Sequence, residues 1–116
     1  MDENQTYKYS EIKESAVVEL GSVVLGGGDA LLFSELLEEL SSKQLRSVVV
    51  DMHSVEMINS SGLGMLVGGL SNMRKKEIKL DLCCVPEKVL GLLKMTHLDQ
   101  VFRIFGTAEE AARSAD

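Results

Sequence analysis

Two hydrophobic periods alternate along this chain. Short runs rich in valine, isoleucine and leucine are separated by stretches whose apolar positions fall every third or fourth residue, the pattern of strands joined by amphipathic helices. Tyr7–Ile12 alternates loosely and predicts an edge strand, and Ala16–Leu20 predicts a second strand closed by Gly21. Val23–Leu25 reads as a short extended piece; Gly26-Gly27-Gly28 breaks it before Asp29, which is suited to cap a helix. In that helix Leu32, Phe33, Leu36, Leu37 and Leu40 share one face, while Glu35, Glu38 and Glu39 face water. Arg46–Met52 is apolar without alternation, as in a central strand covered on both sides. A helix follows from Ser60 to Lys76, with Leu63, Leu66, Val67, Leu70 and Met73 inward and Met65, Gly68, Gly69 and Asn72 outward.

Ile78–Val85 predicts the next strand. Pro86 fits the first position of a helix carrying Val89, Leu92, Leu93 and Thr96 on one side, and Val101–Phe105 predicts the last strand. Thr107 and Glu110 have the spacing of a capping box, opening a terminal helix through Arg113. Strands that alternate with helices pair in parallel through right-handed crossovers. The expectation is a single α/β domain over residues 1–116, with a mixed, mostly parallel sheet of roughly four to five strands and about four helices in a right-handed βα superhelix. Residues 1–6 are expected to form a flexible tail.

Composition narrows the function. The chain has 116 residues, 45% of them hydrophobic, enough to bury roughly two-thirds of its unfolded surface. Its net charge of −6 argues against nucleic acid, whose binding depends on neutralising phosphates with Lys and Arg. The basic cluster Arg74-Lys75-Lys76 falls at a helix C-terminus, where cations complement the dipole. The N-terminus lacks the pattern of a signal peptide, and no apolar run approaches the roughly 18 residues that insert into a membrane. Cys83 and Cys84 are adjacent in a strand, so alternation should send their side chains to opposite faces. With only His53 and His97 beside them, no metal-ligand spacing appears, and reduced cysteines in a cytoplasmic protein are expected. No metal or cofactor is expected.

Asn59-Ser60-Ser61-Gly62-Leu63-Gly64 lies between the apolar strand and the amphipathic helix, and it is the chemical centre of the sequence. A serine there meets unpaired backbone N–H groups and the positive end of the helix dipole, so added negative charge is well received. Capping explains one hydroxyl, but Gly62, Gly64, Gly68 and Gly69 each cost a helix about 1 kcal/mol against alanine. Gly62 and Gly64 would admit another backbone close to the serines, and an outward Met65 flanked by glycines would offer an adaptable docking face. Asn59, Ser60, Ser61, Gly62, Gly64, Met65 and Gly68 are therefore the expected partner-binding residues. A serine nucleophile is not indicated: Gly-x-Ser-x-Gly is missing, and Asp51 and His53 are near in sequence only. Gly26–Gly28 matches no phosphate-binding fingerprint and reads as a turn. Asp51, Glu56 and Asp81 show nothing that fixes their convergence on a cation. The residues alone leave Ser60 and Ser61 both open as the acceptor of a phosphoryl group.

Val48-Val49-Val50-Asp51-Met52, Val55 and Ile58-Asn59-Ser60-Ser61-Gly62-Leu63-Gly64 resemble the signature of STAS domains, and the likeness continues through Val85-Pro86, Leu92–Thr96 and Val101–Phe105 to Thr107. As a stand-alone domain the chain resembles the bacterial anti-sigma factor antagonists. The resemblance implies a non-enzymatic switch phosphorylated at Ser60, with Ser61 the second choice. It implies a partner that is both serine kinase and anti-sigma factor, of the histidine-kinase-like ATPase fold, bound when Ser60 is unmodified and released when it is phosphorylated. A metal-dependent serine phosphatase would reverse the modification. Asn59 stands where the family more often has Asp, and the Gly-x-Leu-Asp motif after the second strand is replaced by Gly21–Asp29. The alternative is a non-phosphorylated STAS subunit in a membrane lipid- or anion-transport assembly. A monomer is expected.

Overall fold

The computed structural model describes residues 8–115; the expected tail, residues 1–6, lies outside them. The elements run β1 (Lys8–Ile12), β2 (Ser15–Glu19), β3 (Val23–Val24), α1 (Gly28–Ser41), β4 (Ser47–Asp51), β5 (Met57–Ile58), α2 (Ser60–Lys75), β6 (Lys79–Cys83), α3 (Glu87–Met95), a 3₁₀ turn (Leu98–Gln100), β7 (Ile104–Phe105) and α4 (Ala108–Arg113). The five-stranded main sheet has the order β1-β2-β4-β6-β7. Only the β1–β2 pair is antiparallel; β2–β4, β4–β6 and β6–β7 are parallel. A separate parallel pair joins β3 to β5.

The period of two divides each central strand between two cores. Ala16, Val18, Val48, Val50, Leu80 and Leu82 face the large core with Phe33, Leu37, Leu66, Leu70 and Met73 of α1 and α2, and with Val89 and Leu93 of α3. Val17, Val49 and Cys83 point the other way and are covered by Ala111 of α4. The unbroken valine run of β4 is thus two half-runs facing opposite layers, as expected of a strand with parallel neighbours on both sides. A buried hydrogen bond of 2.6 Å between the Ser15 and Ser47 hydroxyls closes the start of the β2–β4 ladder.

Several expectations are corrected. The cap of α1 is Gly27, not Asp29: Gly26 and Gly27 take positive φ (79° and 59°) and complete the turn, leaving Asp29 inside the first turn of the helix. The last strand is shorter than Val101–Phe105 because the chain winds through the 3₁₀ turn after a left-handed His97, burying Phe102 in the large core. Pro86 is the cap of α3, one residue before its first position. Met57–Ile58 forms a strand that the hydrophobic pattern does not predict, since two residues carry no period. The capping box at Thr107 and Glu110 is present, with reciprocal bonds of 3.1 and 3.2 Å.

Asp81 is not a solvated strand-end carboxylate. It lies mid-strand and buried, gripped by the Arg103 guanidinium through two bonds of 2.9 and 2.8 Å. Arg103 in turn is held charged by that carboxylate and stacks over the Phe105 ring. Removing only the cation leaves a buried carboxylate without its partner. Arg103→Met should therefore lower stability by about 1.5–3 kcal/mol, and the Asp81→Leu/Arg103→Met double variant by less, as read from urea unfolding midpoints.

Candidate functional site

The site is built where two parallel connections end side by side. β3 leads into α1 and β5 leads into α2, and because β3 and β5 pair in register (Val23 with Met57, Val24 with Ile58) the two helix starts are brought together. Asn59 caps α2 in extended conformation, its side-chain oxygen accepting from the Gly62 N–H at 2.8 Å. Ser60 and Ser61 follow as the first two helical residues, both exposed. Neither hydroxyl has a hydrogen-bond partner among the described residues.

The glycines around these serines have separate tasks. A Cβ at Gly62 would lie 2.3 Å from the Val24 carbonyl oxygen and 2.9 Å from the Ile58 side chain, so the backbone of β3 crosses directly against the helix start. A Cβ at Gly26 would lie 2.7 Å from the Ser61 Cβ. Gly26 of the glycine triplet therefore forms a wall of the site, although the sequence marked that triplet only as a turn. Gly64 and Gly68 have nothing within 4 Å of where a Cβ would stand. Ser60, Gly64 and Gly68, spaced by four, make one bare exposed face of α2. Ser61 is instead turned toward Gly26 and shares its helix face with Met65.

The outward placement of Met65 and Gly69 is wrong. Met65 is 7% exposed and belongs to the large core, and a Cβ at Gly69 would come within 2.9 Å of both Leu37 and Phe33. Val67, expected inward, is half-buried. The physical reason is α1, which packs along this side of α2 and rotates the buried stripe toward itself. The exposed apolar residues near the serines are others: Met57, 58% exposed, with Val23 beside it in the ladder and Leu25 two residues further on the same side. Alternation along Val23-Val24-Leu25 carried that signal, but the segment was too short to show which side would be covered.

His53 and Asp51 do converge. The His53 ring nitrogen Nδ1 lies 2.9 Å from Asp51 Oδ1, and the His53 backbone N–H donates to the same oxygen at 3.0 Å. Glu19 Oε2 also lies 3.8 Å from Nδ1. Glu56 is exposed and Asp81 is taken by Arg103, so the three carboxylates considered together from sequence do not form a group. Lys76 pairs with Glu38 at 2.8 Å and bonds Ser41, which ties the end of α2 to α1.

The STAS domain family matches residues 7–111. The chain belongs to the STAS family. It is 28% identical over 97 residues to an anti-sigma-B factor antagonist of Listeria monocytogenes, covering 81% of this chain and 85% of that protein. An anti-sigma-factor antagonist (STAS) domain protein from Planctomyces limnophilus has the same fold, with a TM-score of 0.79 at 20% identity over 94% of this chain and 97% of that one. The fold also occurs in the murine Solute Carrier 26 family member A9 anion transporter, with a TM-score of 0.76 at 16% identity, over 91% of this chain and 18% of that chain. Among the described residues no helix is long and apolar enough to cross a membrane.

Because Met65 fills the space between α1 and α2, Met65→Ala should destabilise the fold by about 2 kcal/mol, near the low end for buried methionine. Met57→Ala should leave the urea midpoint unchanged. Equal midpoints for the two variants would contradict the packing described.

Proposed function

We propose that this STAS protein is an anti-sigma factor antagonist, a binding module switched by phosphorylation of Ser60 and not an enzyme. The observation that carries the reading is an exposed, unbonded Ser60 hydroxyl at the start of α2 on a face kept bare by Gly64 and Gly68. A kinase active site has to surround its acceptor, and glycines at the following two turns leave room for that approach. Ser61 is hindered by Gly26, so the geometry supports Ser60 over Ser61, in keeping with the family position. The partner is a serine kinase that is also the anti-sigma factor, of the histidine-kinase-like ATPase fold; a metal-dependent serine phosphatase resets the switch. The reading places the protein in the cytoplasm.

The mechanism is local. Phosphorylation adds about −1.5 to −2 charges and three strong acceptor oxygens at one exposed point. The start of α2 tolerates that charge, because N–H groups and the dipole face it. The partner does not: a surface that packs against a neutral hydroxyl then meets a hydrated dianion. A loss of about 3 kcal/mol already weakens binding more than 100-fold. Asn59, Ser60, Ser61, Gly64 and Gly68 line the contact, whereas Gly62, expected among them, is buried against the β3 backbone; Val23, Leu25 and Met57 supply the apolar area that Met65 does not. A scaffold role in a transport assembly is the second reading, favoured by the same fold in an anion transporter.

Incubation with ATP and a kinase of the stated fold encoded beside this gene should add one phosphoryl group, mapped by peptide mass spectrometry to Ser60. Ser60→Ala should capture the unmodified partner as wild type does, and Ser60→Asp should bind more than about 100-fold more weakly in calorimetric titration. Modification confined to another residue, or full-strength binding by Ser60→Asp, defeats the switch. Met57→Lys, folded by circular dichroism, should lose at least about tenfold in affinity, since it places a charge in the apolar part of the contact.

A further inference from the structure

The carboxyl end of the main sheet, on the face covered by α4 and opposite to the one that carries α1 and α2, gathers side chains that the sequence separates. β6 stops at Cys83, and Cys84 turns into left-handed backbone (φ 60°) as its N–H donates to the Phe105 carbonyl at 3.1 Å. That turn cancels strand alternation. The two thiols, expected on opposite faces, stand on one side with their Sγ atoms 3.1 Å apart. Asp51 ends the neighbouring strand, opposite Cys83 in the parallel register. One carboxylate oxygen of Asp51 and both sulfurs lie within 4.8 Å of one another.

We propose that Cys83, Cys84 and Asp51 form a binding site for a thiophilic divalent cation, with Zn²⁺ the best match. Two thiolates and one carboxylate are three of the four donors a tetrahedral zinc takes, leaving one position for water or another ligand. With Zn–S bonds near 2.3 Å, tetrahedral geometry sets the sulfurs about 3.8 Å apart, so they must open by roughly 0.7 Å. Rotation of Cys84, the half-buried member beyond the strand, supplies this without moving the buried Cys83.

The surroundings are those of a supported site. Asp51 Oδ1 is fixed by the backbone N–H and ring Nδ1 of His53, with Glu19 also 3.8 Å from that nitrogen, so the carboxylate is aimed before any ion arrives. The Ala108 backbone amide lies near the Cys84 sulfur and favours its thiolate form. An open cleft of about 260 Å³ lined by Val17, Glu19, Asp51, Ala108 and Glu109 reaches Asp51 from the α4 side, and its carboxylates attract a cation. Burial, reinforced by the Cys84 thiol, pushes the Cys83 thiol well above its ordinary range, and burial raises Cys84 as well. Both are therefore neutral without metal. Binding forms two Zn–S bonds and one Zn–O bond, breaks two S–H bonds and releases two protons to solvent, with no change of oxidation state.

The test uses the full chain, reduced and stripped of metal. Cd²⁺ titration should raise a thiolate-to-cadmium charge-transfer absorbance that saturates at about one ion per chain, and Zn²⁺ should displace it. Zn²⁺ should also protect Cys84, the accessible thiol, from maleimide, read by intact mass. Cys84→Ser, chosen because its side chain is not in the tight core, should abolish the absorbance while keeping a wild-type circular dichroism spectrum. His53→Gln should weaken Cd²⁺ binding about 10- to 100-fold through loss of carboxylate orientation. No charge-transfer band in wild type, undiminished binding by Cys84→Ser, or alkylation indifferent to Zn²⁺ would each overturn the site.

Discussion

The start of α2 can stand at the surface only because two backbones pass over it without side chains between them. At Gly62 the contact is with the carbonyl of Val24, and at Gly26 it is with Ser61. These close approaches fix the β3 and β5 connections against each other, and the short parallel ladder between them sets their register. Everything functional on this side of the molecule inherits its position from that contact. Asn59 caps the helix, the serines take its first turn, and Val23, Leu25 and Met57 are left uncovered at its edge. Glycine is required at Gly26 on two counts, since its φ of 79° is itself unfavourable for an L side chain.

One end of the sheet carries two chemically different faces. On the serine side, exposed backbone and small residues make a surface whose state is changed by charge. At the ends of β4 and β6, the fold instead collects polarisable and ionisable groups against α4. Asp51 connects the two regions: it closes β4, and the chain leaving it passes through His53 and Val55 to β5 and the serine turn. An ion held by Asp51 would therefore stiffen the root of the segment that delivers Ser60. Stability rests elsewhere, in the two-layer aliphatic packing and in the buried Asp81–Arg103 pair that fastens β6 to the segment entering β7.

Most of the architecture was legible in the sequence because hydrophobic period is a local property. The long runs in β4 and α2 and the capping box at Thr107 each carry their signal within a few residues, and each appears in the structure. The serine turn was legible too, because a polar cap placed between a buried strand and an amphipathic helix has few other uses. β5 was not, nor were the bounds of β7, since two residues contain too little chain to express alternation.

What the sequence determined by itself was the order of elements, the family signature and the exposed hydroxyls at a helix start. What only the tertiary structure decided was which side of each element another element would cover. The apolar stripe of α2 was broad enough to be rotated either way, and the packing of α1 turned Met65 and Gly69 inward. The adjacent cysteines were sent to one face by a left-handed residue held by a hydrogen bond to β7. Their meeting with Asp51 depends on parallel strand register, a long-range property. Local pattern fixes what a segment is, whereas contacts between distant segments fix what it faces.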